Sequence, residues 1–221
     1  MSRAPNAKVD ADSPSTAAGG RVLAVAGILT LAALGAYWNS FNVPFLLDDT
    51  SAISENTSIR HLGRIGDVLS PPPTVATTAR PLLNLTLALN FAGGGMSVRG
   101  YHAVNLLIHI CAGLALLGIV RRTLLRRRLR PRYGDAALPL AAAAALLWTL
   151  HPLQTESVTY ISQRAESLMG LFYLLTLYGF IRSVDVGRGR RTPPHSEAKA
   201  GCQTVAPDGA RYGDPALHLP G

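Results

Sequence analysis

The stretch Leu114-Ala115-Leu116-Leu117-Gly118-Ile119-Val120-Arg121-Arg122-Thr123-Leu124-Leu125-Arg126-Arg127-Arg128-Leu129-Arg130-Pro131-Arg132 decides the fold. It closes a segment, Tyr101 to Val120, that holds no Asp, Glu, Lys or Arg, and it then delivers seven arginines within twelve residues. A helix over that segment rises about 30 Å, the thickness of a bilayer's hydrocarbon core. A cluster of arginines directly after a span marks the cytoplasmic side.

Working outward, three more segments fit a membrane. Val22 to Trp38 has no charge and would extend about 25 Å as a helix. Its closing Tyr37-Trp38 pair suits an interface and favours an uncleaved anchor over a cleaved signal peptide. Ala136 to Leu150 is Ala-rich, with Pro139 near its start, where it does least harm. Leu168 to Ile181 reads as one helix with the polar segment from about Val158 onward. With the N-terminus inside, sixteen Lys/Arg lie on the inner side and five on the outer side (Arg60, Arg64, Arg80, Arg99 and Arg164).

The expectation is therefore an all-α integral membrane protein with about four transmembrane helices (22–38, 101–120, 136–150 and 168–181), N-in and C-in. Residues 1–20 read as a disordered N-terminus, 21–182 as the membrane domain and 183–221 as a disordered basic tail. The outer loops are 39–100 and 151–167. In the long first loop Pro81 suits a first helical position, and about twelve mostly apolar residues follow, to be read as a short helix at the interface or against the bundle.

Composition agrees. Apolar residues make up 48% of the chain, mean hydropathy is +0.21 and formal charge +8. The charge is explained by arginines flanking apolar segments, without the interleaved aromatics of a nucleic-acid surface, so no nucleic-acid partner is expected. Cys111 falls inside a span and Cys202 in the tail, which disfavours a disulfide. No Cys/His cluster has metal spacing, no phosphate-binding glycine motif occurs and no repeat is evident.

This topology places Asp48-Asp49 and His151–Arg164 on one side. The carboxylate pair reads as a catalytic base, with or without a divalent cation, or as a plain turn or N-cap. Were 156–164 one helix, Glu156, Tyr160 and Arg164 would share a face. Arg164 would then hold a phosphate while Glu156 or His151 served as acid/base, the alternative being a solvated helix start with an Arg–Glu pair involving Glu166. His102, Asn105 and His109 fall within an arc of about 60° at 100° per residue, a polar stripe for hydrogen bonds between helices or for a ligand. Arg80 either binds a lipid phosphate or snorkels. The Arg121–Arg132 cluster fixes topology and attracts anionic membrane lipid. Asn56-Thr57-Ser58 and Asn84-Leu85-Thr86 match the N-glycosylation pattern.

Several of these residues carry a family pattern. Phe45-Leu46-Leu47-Asp48-Asp49, Asn56, Arg80-Pro81-Leu82, Asn90, Gly100-Tyr101-His102, Asn105-Leu106 and His109, then His151-Pro152, Glu156, Val158-Thr159-Tyr160-Ile161, Arg164, Glu166 and Leu168, resemble the N-terminal part of the transmembrane, tetratricopeptide-repeat-containing O-mannosyltransferases. These are C-type glycosyltransferases with bacterial relatives. The resemblance covers about residues 22–182. It implies a polyprenyl-phosphate-linked sugar donor such as mannose, a protein Ser/Thr acceptor, and a site on the outer or luminal face of the bacterial inner membrane or the endoplasmic reticulum. It also implies a catalytic carboxylate in the first outer loop, hence Asp48 and Asp49 with Glu156 beside them. Arg80 and Arg164 become candidates for the leaving phosphate, and His102, His151, Tyr160 and Glu166 further substrate-binding candidates. Members of the family continue through more spans and a repeat domain, so a piece inactive by itself is expected. The rival expectations are a non-catalytic membrane interaction fragment and a small transporter or lipid-binding subunit built on the His102/Asn105/His109 stripe.

Overall fold

A computed structural model describes residues 14–189, with side chains over 18–184. The chain divides into two units, Met1–Val184 and Asp185–Gly221, and the first is described here. Among the described residues every regular element is helical. The N-terminal segment 1–13, the tail beyond 189 and Cys202 lie outside them, whereas residues 14–20, expected to be disordered, form the start of the first helix.

Helix α1 (Pro14–Ala36) and helix α4 (Val98–Leu124) cross as long apolar rods, and α6 (Ala137–Thr149) lies against both. α4 is the central element, since α1, α3 (Pro81–Gly94), α6 and α7 (Thr155–Thr159) all pack on it. Close approach is achieved with small residues. A Cβ on Gly113 would sit 2.5 Å from Thr149 Oγ1 and 3.3 Å from Leu29, so α1, α4 and α6 meet at a position only glycine fits. Leu29, Leu117, Ala141 and Ala145 fill the space around this crossing. Helix α8 (Arg164–Gly189) is the outermost rod and leaves Met169, Phe172, Tyr173 and Phe180 exposed.

Among the described residues three helices are long and apolar enough to cross a membrane: Ala18–Ala36, Val98–Leu124 and Ile161–Val184. The protein is an integral membrane protein. The expected third span differs from its reading. Thirteen helical residues in α6 cover about 20 Å, short of a hydrocarbon core. The helix stops where Pro152 follows His151, and Pro152–Thr159 continues at a bend of 54°, so a fourth crossing exists only if this bent pair counts as one span.

The first outer loop is a packed cap. Short turns at Trp38–Asn42, Thr50–Ser54 and Thr57–Ile59, helix α2 (Ile65–Leu69) and helix α3 enclose Ala52, Ile53, Ile59, Val68, Leu83 and Leu87. Pro81 opens α3 and Gly95, at φ +58°, ends it. A short helix, α5 (Arg130–Tyr133), sits within the arginine-rich link between α4 and α6.

Polar side chains inside the cap are paired. The Asn56 amide donates to Ala52 O (3.0 Å), Asn84 Oδ1 (2.8 Å) and Thr77 Oγ1 (3.3 Å), while the Asn84 amide donates to Ser58 Oγ (2.9 Å) and Val68 O (2.7 Å). Both asparagines are fully buried, so in the folded protein neither glycosylation pattern presents its amide to a modifying enzyme.

Gly113→Val should split this bundle. Its side chain has nowhere to go but into Thr149 and Leu29, and the expected outcome is a large loss of folded protein in detergent extracts, read by size-exclusion chromatography, with Gly27→Val, which meets open space, as the tolerated control.

Candidate active site

The first outer loop and the segment after α6 meet at one end of the bundle, so the two stretches singled out by sequence do form one locus. Asp49 joins them. It is 1% exposed, and its two carboxylate oxygens accept from Leu46 N (3.2 Å) and Ser162 N (2.7 Å). Asp48, next in the chain but exposed, is fixed through its backbone, whose N–H donates to Tyr160 Oη at 3.1 Å. The two carboxylates point to different environments, Asp49 inward and Asp48 outward, and Leu47, at φ +45°, turns the chain just before them. Phe45 packs edge-on to Tyr101 at 5.5 Å and holds the approach to the turn.

Arg164 lies directly beneath. It is fully buried, within the apolar helix 161–184. Nε donates to Asn105 Oδ1 (2.6 Å), Nη1 to Asn90 Oδ1 (2.8 Å) and Thr86 Oγ1 (3.5 Å), and Nη2 to Tyr101 O (2.9 Å). The Asp49 carboxylate is an acidic charge acting on it. Its guanidinium is thus committed to α3, α4 and the loop, and it does not reach a ligand in this arrangement.

The single face expected for Glu156, Tyr160 and Arg164 does not form. Tyr160 adopts ψ 115° between α7 and the turn Ile161–Gln163, so the helix breaks there and Arg164 starts a new one. The break sends Arg164 inward and leaves Glu156 outside, where it accepts from Gln163 Nε2 at 3.3 Å. His102 is also buried. Its Nε2 donates to Val43 O at 2.9 Å, which ties the loop to α4 rather than facing a ligand. His109 Nε2 donates to Thr149 O at 2.9 Å and its ring stacks on Trp148. Tyr37 Oη donates to the same carbonyl at 3.1 Å. Burial raises its pKa, against a smaller pull from Thr155, so it remains a protonated donor. His151 Nδ1 accepts from Leu153 N at 3.2 Å and caps a turn at an exposed position.

Three cavities surround the junction. A polar cleft of about 230 Å³ is lined by Asp48, Thr77, Arg80, Ser162, Gln163 and Glu166. It shares Arg80, Leu83, Ala165 and Glu166 with an apolar groove of about 390 Å³ that runs between α3 and α8 past Leu82, Met169 and Phe172. A larger cleft of about 740 Å³ opens beyond Tyr160, with Leu46, Leu47, Leu153 and Glu156 on its walls. Asp48, Arg80 and Glu166 are brought together, then, while Glu156 and Tyr160 line the neighbouring cleft. Asp48 and Glu166 are the two carboxylates on the walls of the polar cleft. Among the described residues no group of three or more His, Cys, Asp or Glu side chains converges.

Similarity to known proteins covers the same ground. The chain is 32% identical over 154 residues to the protein O-mannosyl-transferase Tmtc1 of Drosophila melanogaster, covering 66% of this chain and 17% of that protein. It is 30% identical over 164 residues to human TMTC4 (68% and 22%) and 31% over 171 residues to human TMTC1 (73% and 18%). The chain belongs to the TMTC family. It corresponds to the N-terminal part and spans about a fifth of the length of these relatives. No family model and no solved structure matches.

Within this TMTC chain, sequence reasoning missed Ser162, Gln163 and Thr77 as lining residues of the acidic cleft, and Asn90 and Thr86 as partners of Arg164. The first two are exposed by the break at Tyr160, which no proline or glycine announces. Asn90 stood among the family residues without a role, and an amide near the end of a mostly apolar helix was the available signal.

Replacing Arg164 tests its placement. Arg164→Met strands the oxygens of Asn105, Asn90 and Tyr101, at about 1 kcal/mol each or roughly 3 kcal/mol in all. Arg164→Lys keeps the charge but cannot reach three diverging acceptors. Both variants should unfold at lower temperature in detergent, Met more so, and a Met variant as stable as the parent would remove the structural role.

Proposed function

We propose that this chain provides the catalytic face of a membrane glycosyltransferase that moves a sugar, mannose by the names of its relatives, from a polyprenyl phosphate to a protein serine or threonine hydroxyl. The observation that carries the reading is the union of the polar cleft with the apolar groove through Arg80 and Glu166. A polyprenyl phosphate is a charged head on a long apolar chain, and this pair of cavities offers a guanidinium at the head and Leu82, Met169 and Phe172 along the chain.

Asp48 takes the proton of the acceptor hydroxyl as its oxygen bonds to the anomeric carbon. The bond from that carbon to the phosphate oxygen breaks, the electron pair leaves with the phosphate and configuration inverts. Arg80, on the same cleft, meets the charge that grows on the leaving phosphate. Glu166 adjoins Arg80 and is placed to orient it or a sugar hydroxyl. Were a divalent cation to take part, Asp48 and Glu166 would be the side chains to hold it, and it would offset charge on the phosphate. Asp49 acts as the pin that sets the position of Asp48, not as a second base. Arg164, whose guanidinium is bonded to α3 and α4, supports the site from below. The arginine count supports a cleft on the luminal or periplasmic side. The transporter alternative loses its residues, because His102, Asn105 and His109 are all engaged with protein groups.

Transfer assays in membranes, with polyprenyl-phosphate mannose and a Ser/Thr peptide, separate the two aspartates. Asp48→Asn should lower transfer by about 10²–10⁴-fold, the usual contribution of a general base, with the melting temperature unchanged. Asp49→Asn should lower both, since an amide can accept from only one of the two backbone N–H groups. Unchanged transfer in Asp48→Asn would end the assignment of the base.

A further inference from the structure

The largest cleft has no part in donor binding as described above. It lies across the turn at Leu47 from the acidic cleft. Leu46 and Leu47 line the large cleft and Asp48 the acidic one, so consecutive residues serve the two cavities. Tyr160, which lines the large cleft, also accepts the Asp48 N–H, so one side chain forms part of the partition between them. Gln163 lines the acidic cleft and bonds Glu156 in the large one.

Its chemistry excludes the donor and describes another ligand. Glu156 is the only charged residue on its walls, and no cation is there to meet a phosphate. The rest of the lining is apolar or hydroxyl- and amide-bearing: Leu47 is 83% exposed, Leu153 81%, and Asn39, Ser40, Thr155 and Thr159 offer hydrogen bonds. At about 740 Å³ it lies within the roughly 300–1,000 Å³ of small-molecule pockets, room for one or two side chains of a longer ligand. It also begins beyond the end of α1, past Tyr37, so it is not flanked by the long apolar rods as the donor groove is.

We infer that this cleft binds the acceptor polypeptide, taking an apolar side chain on Leu47 and Leu153 and a Lys or Arg side chain at Glu156, with the acceptor hydroxyl presented across the Leu47 turn to Asp48. The inference rests on the transferase reading above and names the acceptor's place and preference within it. Glu156, written as a catalytic carboxylate from sequence, becomes the residue that selects for a basic neighbour of the hydroxyl.

The test uses the full chain in detergent with Cys111→Ala and Cys202→Ser, and a reporter thiol at Leu153→Cys or, independently, Leu46→Cys, both on exposed side chains. A bromoacetylated Ser/Thr peptide carrying one Lys should alkylate the thiol with saturation, and the same peptide without the bromoacetyl group should protect. Glu156→Gln should raise the half-saturating concentration about tenfold for the Lys peptide, the scale of one hydrogen bond to a charge, and leave it unchanged for a Gln counterpart. Alkylation that does not saturate, or that the peptide fails to protect, overturns the inference. So does protection by polyprenyl phosphate in place of peptide, which would put the donor in this cleft. Saturable, peptide-protected alkylation in a chain that transfers no sugar would retain the cleft assignment and sink the transferase reading. Transfer without peptide protection would do the reverse.

Discussion

One buried cation organises the site. Arg164 sits on a helix apolar enough to cross a membrane, with no exposed surface and most of its donors met by uncharged oxygens. Moving a guanidinium out of water costs several kcal/mol even after relaxation, and that cost is offset only where the acceptors are already in place. Asn90 on α3, Asn105 and Tyr101 on α4 and Asp49 in the first loop must all arrive together. The cation therefore works as a condition on the fold: α3, α4, α8 and the loop share one arrangement in which its donors are filled. The turn that carries Asp48 is set by the same condition, because Asp49 answers the Arg164 charge while accepting the N–H groups on either side of the junction.

From this follows the division of labour within Asp48-Asp49. Just after the turn at Leu47 the two side chains leave the backbone on different sides, so that Asp49 is taken up by two backbone N–H groups while Asp48 keeps its side chain in the cleft. The strain of a non-glycine residue in the left-handed region is of the kind that persists where the surroundings over-determine it. Those surroundings are the Tyr160 hydroxyl on Asp48, the Ser162 amide on Asp49 and the Phe45–Tyr101 contact before the turn.

Much of this was legible in the residues. The apolar runs and the arginines after Val120 gave helices, spans and the meeting of the two polar stretches. The ordered family residues gave the acidic pair and Arg80. What periodicity could not give was the direction of each side chain near a helix end. Glu156, Tyr160 and Arg164 have ideal helical spacing, yet the backbone leaves the helix at Tyr160, because burying Arg164 on Asn105 and Asn90 outweighs continuing one helix. The third span is broken for a related reason: Leu150 is apolar, but the Pro152 that follows it bends the path by 54°. Charge read as function was also misleading where a charge was buried. Arg164 has the residue type of a phosphate ligand and the surroundings of a keystone, and only the three-dimensional list of acceptors separates the two.

The balance of forces explains why polar networks, and not the apolar helices, define the geometry here. In lipid an apolar helix face gains little by leaving the chains for another helix, since both surroundings are equally apolar. α8 accordingly lies with Met169, Phe172 and Phe180 exposed and is held at its first residue and again further along, where Tyr178 packs against Gly118 and Arg126 donates to Ile181 O. Hydrogen bonds have no such indifference, because a buried donor without an acceptor costs far more than an alternative packing of leucines. The Arg164 cluster and the Asn56–Asn84–Ser58 cluster each admit one solution, and they lie on either side of α3, the helix whose first residues form the floor of both donor cavities. Arg80 is thus positioned by a helix clamped on two faces, at Asn84 and at Asn90, and by its own backbone bonds to Thr77 and Asn84. A site assembled this way can leave Arg80 and Asp48 with unspent bonding capacity, which is what a phosphate and a hydroxyl require of them.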